Sequence, residues 1–184
     1  MDADSPVKDI LYQELSNITE NKIQVEISKN NSSKIISEII SKCFPKIQQI
    51  SLNIDEGLGI FAESLMHYFL TLAIIPSQRK ISQKDVEIDI VIPDLKTLES
   101  NPNDSLIIVF PKSNNKNQII KRILDLETIH QVKENIWLVL NEDLEFENRT
   151  YLIKNTKNSF SNILDDINEF YSSRKQSKLK FIKS

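Results

Sequence analysis

The sequence predicts a mixed α/β fold in which helices cover a central sheet. Two segments, LIIVF at 106–110 and IWLVL at 136–140, are apolar on both faces, which is typical of central strands. The segment between them, 115–132, has apolar side chains at helical spacing. Strand and helix patterns are mixed along the whole chain, which predicts a central mixed sheet flanked by helices.

Each element follows from the spacing of apolar residues. Residues 6–20 have helical spacing, whereas IQVEI at 23–27 alternates and predicts a short strand. A helix is predicted from Asn31 or Ser32 to Phe44-Pro45, and 46–54 is ambiguous with a strand slightly favoured. The remaining predictions are a long helix at 57–74, strands at 79–83 and 86–92, a loop at 101–104, a strand at 150–153 and a final helix at 159–171.

Composition excludes several classes of protein. The chain has 184 residues, enough for one domain with a sizeable core. It has two glycines, where average usage would give roughly thirteen, so no Gly-rich phosphate-binding loop can be written. The net charge of −3 gives no general attraction to nucleic acid or to an anionic membrane. Residues 172–184 hold five basic residues and no acid, which predicts a flexible tail or a small contact with a phosphate backbone.

The sequence also predicts a cytoplasmic location. Cys43 is the one cysteine, so no internal disulfide can form, and its apolar neighbours favour a buried side chain. No N-terminal signal pattern and no apolar run of about 18 residues is present, which predicts no membrane contact. The abundance of Ile, Asn and Lys is typical of an AT-rich, microbial genome.

The predicted helix at 57–74 carries one formal charge, Glu63, among apolar residues. A carboxylate on a mostly buried helix is costly unless it is paired or bound to a cation. It is therefore a candidate for chemistry, or it has a purely structural role, either at the rim of the core or paired with an arginine such as Arg79. Both glycines, Gly57 and Gly59, fall at the start of this helix, which indicates close backbone packing or a tight turn there.

The strand VEIDIVI divides by parity into an apolar face and a face with Glu87 and Asp89. Two carboxylates on one strand face suit Mg²⁺ or Mn²⁺, although a solvated edge face is the alternative, more so for Glu87. Lys112 follows the central strand and lies before a helix, where it can hold a phosphate or polarise a water. An ordinary lysine at a strand end is the other interpretation.

Together these segments resemble the core of the PD-(D/E)-x-K nuclease superfamily. EIDIVI at 87–92 is similar to its Asp-bearing strand and LIIVFPK at 106–112 to its acid-x-Lys strand, within a resemblance that covers about 57–140. It implies a restriction-endonuclease-like core at 57–171, with an N-terminal α/β extension at 1–56 and a basic tail at 172–184.

The same resemblance implies roles for individual residues. Asp89 is the expected main metal ligand, Lys112 the water-orienting lysine and Glu63 the helix acid, with Glu87 as a further metal ligand. Gln118 falls near a position where some members have glutamine. Mg²⁺ or Mn²⁺ is the expected cofactor if the protein is active.

The chain departs from the superfamily at Phe110, which occupies the position of the second acid before Lys112. Loss of that carboxylate removes a metal ligand and part of the field that activates water; Glu87 or Asp94 are the acids that could replace it. The literal match Pro93-Asp94-Leu95-Lys96 lies beyond the strand end and is discounted. Basic residues flank the site in sequence, as a phosphate-facing rim or as scattered surface charges: Arg79, Lys80, Lys84, Lys116, Lys121 and Arg122.

The leading hypothesis is therefore a nuclease-like protein of nucleic-acid metabolism, acting on DNA or RNA by metal-dependent phosphodiester hydrolysis with an incomplete motif. The alternative is a catalytically inactive binding or assembly subunit with the same fold, with a protein partner or as a homodimer. A small-molecule-binding α/β protein is the third hypothesis.

Overall fold

The computed structural model describes residues 6–154 and 158–181, and only the backbone of 175–181. Within this part of the chain the helices are α1 Pro6–Ile18, α2 Glu20–Ser28, α3 Ser32–Ile50, α4 Ile54–Leu72, α5 Leu95–Ser100, α6 Lys116–Glu127 and α7 Ile163–Phe181. The strands are β1 Gln78–Gln83, β2 Val86–Ile92, β3 Leu106–Val109, β4 Ile136–Leu140 and β5 Thr150–Leu152.

The strands form one mixed sheet in the order β1-β2-β3-β4-β5. The β1–β2 and β2–β3 pairs are antiparallel, whereas β3–β4 and β4–β5 are parallel. β3 and β4 are buried along their whole length, as their apolar sequences predict. The parallel strands β3 and β4 are joined by a long connection that contains α6.

Two apolar cores lie on the two sides of the sheet. The larger packs α1, α3, α4 and α7 against one face, to which the strands contribute residues such as Ile90, Ile108 and Val139. The smaller packs α5 and α6 against the other face, with Val91 and Ile107 among its strand residues. The sheet is therefore covered by helices on both sides, and the mixed α/β architecture predicted from the sequence is confirmed.

The N-terminal segment differs from the prediction, because residues 23–27 are helical rather than a strand. Ile23 is fully buried and Ile27 packs against the same core, whereas Val25 is exposed. Positions 23 and 27 lie on one side of a helix as well as on one face of a strand, so the short alternation fits both. The residues that precede α4 in the described chain are thus helices with connecting turns, not the mixed α/β extension expected.

The predicted break at Pro45 is also wrong, since α3 continues through it to Ile50. No strand forms at 46–54. Proline removes one helical hydrogen bond and normally ends or kinks a helix. Here Phe44 and Ile47 are both buried on either side of it, so packing against the core holds the helix together while Pro45 faces solvent.

Helix α7 continues into the basic C-terminal segment as far as Phe181, whereas the sequence predicted that the last helix ends at residue 171; residues 182–184 lie outside the described part. The remaining boundaries agree with the sequence patterns to within a few residues, and α5 was not predicted. In the described part of the chain, no helix combines the length and the apolar character needed to cross a membrane.

Candidate active site

Residues from α4, the β1–β2 hairpin and the segment after β3 line a cleft of about 320 Å³. The lining residues are Glu63, Lys80, Ile81, Ser82, Glu87, Ile88, Asp89 and Lys112. The structure thus brings Glu63, Asp89 and Lys112 to one place, although they lie on a helix, a strand and a loop that are far apart in the sequence.

Glu63 projects from the buried side of α4 and its side chain is 5% exposed. Oε1 lies 3.6 Å from Nη2 of Arg79, and Oε2 lies 4.0 Å from Nζ of Lys112. Both distances are too long for a good hydrogen bond, and buried Oε1 has no hydrogen-bond partner. The contact with Arg79 is the structural pairing that the sequence allowed. It leaves Oε1 without a hydrogen bond, so this oxygen can accept a further donor or bind a cation.

Asp89 is the better satisfied of the two carboxylates. Its Oδ2 accepts a hydrogen bond of 2.8 Å from the backbone N–H of Phe110, and its Oδ1 accepts one of 2.7 Å from Nη2 of Arg122. Burial raises the pKa of Asp89, and the nearby Glu63 carboxylate acts in the same direction. Arg122, the Phe110 N–H and Lys112 oppose that rise by stabilising the charged form.

The end of β3 reaches the cleft because α4 approaches it closely at Gly59. A Cβ atom on Gly59 would lie 2.8 Å from the carbonyl oxygen of Pro111 and 3.3 Å from Cγ of Lys112. Gly59 and Glu63 are four residues apart, so they lie on the same side of α4. The missing side chain at Gly59 therefore allows Lys112 to stand beside Glu63.

Strand β2 does not follow simple alternation at the cleft. Ile90 and Ile92 pack in the larger core as predicted, but Ile88 packs in the smaller core on the other side. The pleat is interrupted opposite Asp89, where Lys80 of β1 has a left-handed backbone with φ 50°. This conformation is uncommon for a residue with a side chain and is found most often in turns and at functional sites.

Charges in and around the cleft nearly balance. Three carboxylates, Glu63, Glu87 and Asp89, face four cations, Arg79, Lys80, Lys112 and Arg122. Glu63 and Asp89 each have a cation of the protein within ion-pair distance, and Lys80 and Lys112 are solvent-exposed at the cleft. The small positive excess and the exposed lysines suit an anionic group such as a phosphate.

The fit of a divalent cation rests on two carboxylates. In residues 6–154 and 158–181, no three His, Cys, Asp or Glu side chains are close enough to hold a metal ion. Mg²⁺ is nevertheless bound in many enzymes through one or two carboxylates, with waters and substrate phosphates as its other ligands. Glu63, with its unpartnered Oε1, and Asp89 fit such an ion once an oxygen of Asp89 leaves its present partner.

Phe110, which occupies the position of the missing acid, belongs to the hydrophobic core and not to the cleft. Its side chain is 2% exposed and packs edge-to-face against Phe160, with the ring centroids 6.4 Å apart. Glu87 lines the cleft, and its side chain is exposed to solvent. Asp94 accepts a hydrogen bond from the N–H of Thr97 and caps α5, so the literal Pro-Asp-x-Lys match serves a helix start.

The other predicted site residues are spread around the cleft. Gln118 is exposed in the first turn of α6 and is not among the residues that line the cleft. Lys121 and Arg122 line a neighbouring depression of about 440 Å³, which shares Glu87 with the cleft. Lys84 lies at the turn of the β1–β2 hairpin, and Lys116 stands over the ring of Phe146.

One hydrogen-bonded group beside the cleft was not anticipated. Oδ1 of Asp55 at the start of α4 accepts hydrogen bonds from Asn114 at 2.9 Å and from Asn141 at 3.2 Å. These two amides follow the ends of the parallel strands β3 and β4, which is a pattern visible in the sequence. The group fastens the loop that carries Lys112 to α4 and to β4.

Comparison with known proteins identifies the fold and no family. No family model matches the sequence, and no curated protein matches it. Among solved structures, the chain is similar to the restriction endonuclease PspGI in complex with its substrate DNA, with a TM-score of 0.64 and 13% identity over 92% of this chain and 94% of that chain. The chain therefore has a restriction-endonuclease-like fold, as the sequence resemblance implied. The match extends beyond residues 57–171, so it includes more than the predicted core.

Proposed function

We propose that this chain is a nuclease-like protein of nucleic-acid metabolism that holds a DNA phosphodiester in the cleft between α4 and β2. The observation that carries the proposal is the convergence of Glu63, Asp89 and Lys112 on that cleft. The fold adds support, since the similar restriction endonuclease was solved with substrate DNA. Fold alone does not determine an activity, so the proposal rests on the residues of the cleft.

Phosphate binding is the first step that the cleft supports. Lys80 and Lys112 are exposed at its opening, and Arg79 and Arg122 stand behind the two inner carboxylates. Lysine and arginine contacts to phosphates position a protein on nucleic acid without reading its sequence. The cleft is therefore suited to hold a backbone phosphate close to Glu63 and Asp89.

Hydrolysis is the finer form of the proposal. Glu63 and Asp89 would hold Mg²⁺ or Mn²⁺, which supplies a polarised phosphoryl oxygen and a more acidic water when bound. Lys112 has a half-exposed side chain whose ammonium lies 4.0 Å from Glu63. From that position it orients a water or neutralises charge on the scissile phosphate, while α4 and the Phe110 backbone keep the two carboxylates in place.

A non-catalytic binding or assembly subunit is the second candidate. Phe110 favours it, because the position of the missing acid is filled by a buried ring that belongs to the core. The two close contacts of Asp89 point in the same direction. A protein partner or a second copy of the chain would belong to this candidate.

A cleavage assay separates the two candidates. Purified protein is incubated with single- and double-stranded DNA and RNA in Mg²⁺ or Mn²⁺, beside the variants Asp89→Asn and Lys112→Ala. Lys34→Ala is the matched control, since Lys34 is an exposed lysine on α3, outside the cleft lining. We expect cleavage by the wild type and by Lys34→Ala only. Cleavage that survives both cleft substitutions would refute the assigned site, and binding without cleavage would favour the second candidate.

A further inference from the structure

The two inner carboxylates of the cleft are in different states. Glu63 keeps a buried oxygen without a hydrogen-bond partner. Asp89 has both oxygens engaged, by the Phe110 N–H on one side and by Arg122 on the other. A cation ligated by both residues would meet an oxygen of Glu63 that has ion pairs only, at 3.6 Å or more, and oxygens of Asp89 that are both hydrogen-bonded. The Phe110 N–H is part of the backbone next to β3 and cannot move away easily, whereas Arg122 is a long side chain.

Arg122 is placed where it can exchange Asp89 for another anion. It projects from α6 with 30% of its side chain exposed, whereas Asp89 is 17% exposed. It also lines the neighbouring depression, whose other charged residues are Asp85, Glu87, Lys121 and Asp125. Its guanidinium thus stands at the boundary between this depression and the cleft.

A phosphate can replace a carboxylate as the hydrogen-bond partner of an arginine. The planar guanidinium binds either group through parallel hydrogen bonds, and it does so strongly where water is partly excluded. A phosphate that enters the cleft can therefore take over the hydrogen bonds that Arg122 makes to Asp89. Asp89 would then be a partly buried carboxylate with a free oxygen, a state that is costly unless a cation replaces the lost partner.

We propose that Arg122 is a phosphate-released latch: it occupies Asp89 in the free protein and gives it up to a divalent cation when a nucleic-acid phosphate binds. This inference rests on the proposed function, because it concerns the same cleft and the same phosphodiester ligand. Its consequence is that metal and nucleic acid bind with positive coupling, and each increases the affinity of the other by the same factor.

Mn²⁺ binding to the full chain tests the latch without relying on catalysis. Free Mn²⁺ is measured by electron paramagnetic resonance during titration, with and without a short mixed-sequence DNA duplex, with binding to the duplex alone subtracted. The duplex is checked on a gel to be intact at the end. We expect the duplex to raise the Mn²⁺ affinity of the wild type about tenfold, within the usual range of coupling between sites.

The variant Arg122→Gln removes the latch. We expect it to bind Mn²⁺ without DNA severalfold more tightly than the wild type does, and to gain less affinity from the duplex than the wild type, because a DNA phosphate can still ligate the ion. Lys121→Gln is the matched control for Mn²⁺ binding without DNA, because it removes the same charge from the adjacent position of α6, whereas the ion pair to Asp89 is made by Arg122. Arg122→Lys serves as a second variant if the glutamine protein does not fold, and we expect weaker coupling in it than in the wild type.

The outcomes distinguish the latch from the proposed function. Equal Mn²⁺ affinity of wild type and Arg122→Gln without DNA would overturn the latch, even if the wild type cleaves DNA. A gain of Mn²⁺ affinity in Arg122→Gln but not in Lys121→Gln supports the latch, even if no variant cleaves. Absence of Mn²⁺ binding in every variant and condition would overturn the latch together with the hydrolytic form of the proposal.

Discussion

Replacing Gly59 with alanine tests how closely α4 must approach the loop that carries Lys112. The added Cβ would stand 2.8 Å from the carbonyl oxygen of Pro111. An ordinary carbon–oxygen contact is about 3.3 Å or longer, so the helix and the loop must separate by about 0.5 Å. The atom in the way is backbone and cannot rotate aside, and Asp55 ties the same loop to the start of α4 through Asn114.

The magnitude follows from two opposing terms. Overpacking a closely packed contact costs about 1–3 kcal/mol, whereas alanine in place of glycine stabilises a helix interior by up to about 1 kcal/mol. We expect Gly59→Ala to lower the free energy of unfolding by about 1 kcal/mol. In the cleft, a displacement of Lys112 by half an ångström should also weaken any cleavage activity severalfold, since rates are sensitive to ångström-scale misplacement.

Urea unfolding followed by circular dichroism measures the first effect, and Gly57→Ala is the matched control. At Gly57 an added Cβ would meet the Ser51 hydroxyl oxygen, which can rotate away, and Cβ of Ser51 and Cγ2 of Ile47 at 3.2 Å, which have to give by only a few tenths of an ångström. All three atoms belong to side chains rather than to backbone, so the helix gain offsets much of the contact. We expect this control to stay within about 0.5 kcal/mol of the wild type. A Gly59→Ala protein as stable as the wild type would show that the approach of α4 to Pro111 is not needed.

Two further predictions concern buried groups outside the cleft. Burial raises the pKa of the Cys43 thiol to about 11, so we expect a thiol reagent at pH 8 to label it only when urea opens the protein. Fast labelling of the folded protein would contradict its burial. Burial lowers the pKa of His130, whose Nδ1 accepts the N–H of Val132. Below pH 6.5, the ordinary pKa of histidine, the unfolded chain therefore binds more protons than the folded chain. The free energy of unfolding then decreases as the pH falls, by up to about 1.4 kcal/mol per pH unit, whereas above pH 6.5 this group causes no loss. We expect the free energy of unfolding of the wild type to be lower at pH 5.5 than at pH 7.5, and the difference to be smaller in His130→Gln. Equal differences in the two proteins would refute the assignment of the pH dependence to His130.

The sequence was most informative where one pattern had only one structural solution. β3 and β4 are apolar on both faces and could be stable only between two layers of helices. The strand prediction for IQVEI at 23–27 was wrong, because Ile23 and Ile27 also share one side of a helix and the core that receives Ile23 decides for the helix. Pro45 signalled a helix end, but the burial of Phe44 and Ile47 outweighs the lost hydrogen bond.

The site could be predicted in part for the same reason. A single carboxylate on an apolar helix is costly to bury without a cation nearby, and Glu63 lies near both Arg79 and Lys112. The contact of Arg122 with Asp89 depends on how α6 packs across β2, which no local pattern encodes. The left-handed backbone of Lys80 likewise carries no glycine or asparagine signal in the sequence.

The central claim is that the cleft holds a nucleic-acid phosphate, and DNA affinity tests it most directly. Fluorescence anisotropy with a labelled duplex, over a range of salt concentrations, compares the wild type with the double variant Lys80→Ala, Lys112→Ala. Lys29→Ala, Lys34→Ala is the control with the same charge, because both lysines are exposed and lie outside the cleft lining. We expect the cleft variant to bind at least tenfold more weakly, with a salt slope reduced by about 2, and the control to bind like the wild type. Equal affinities and slopes for all three proteins would contradict the claim.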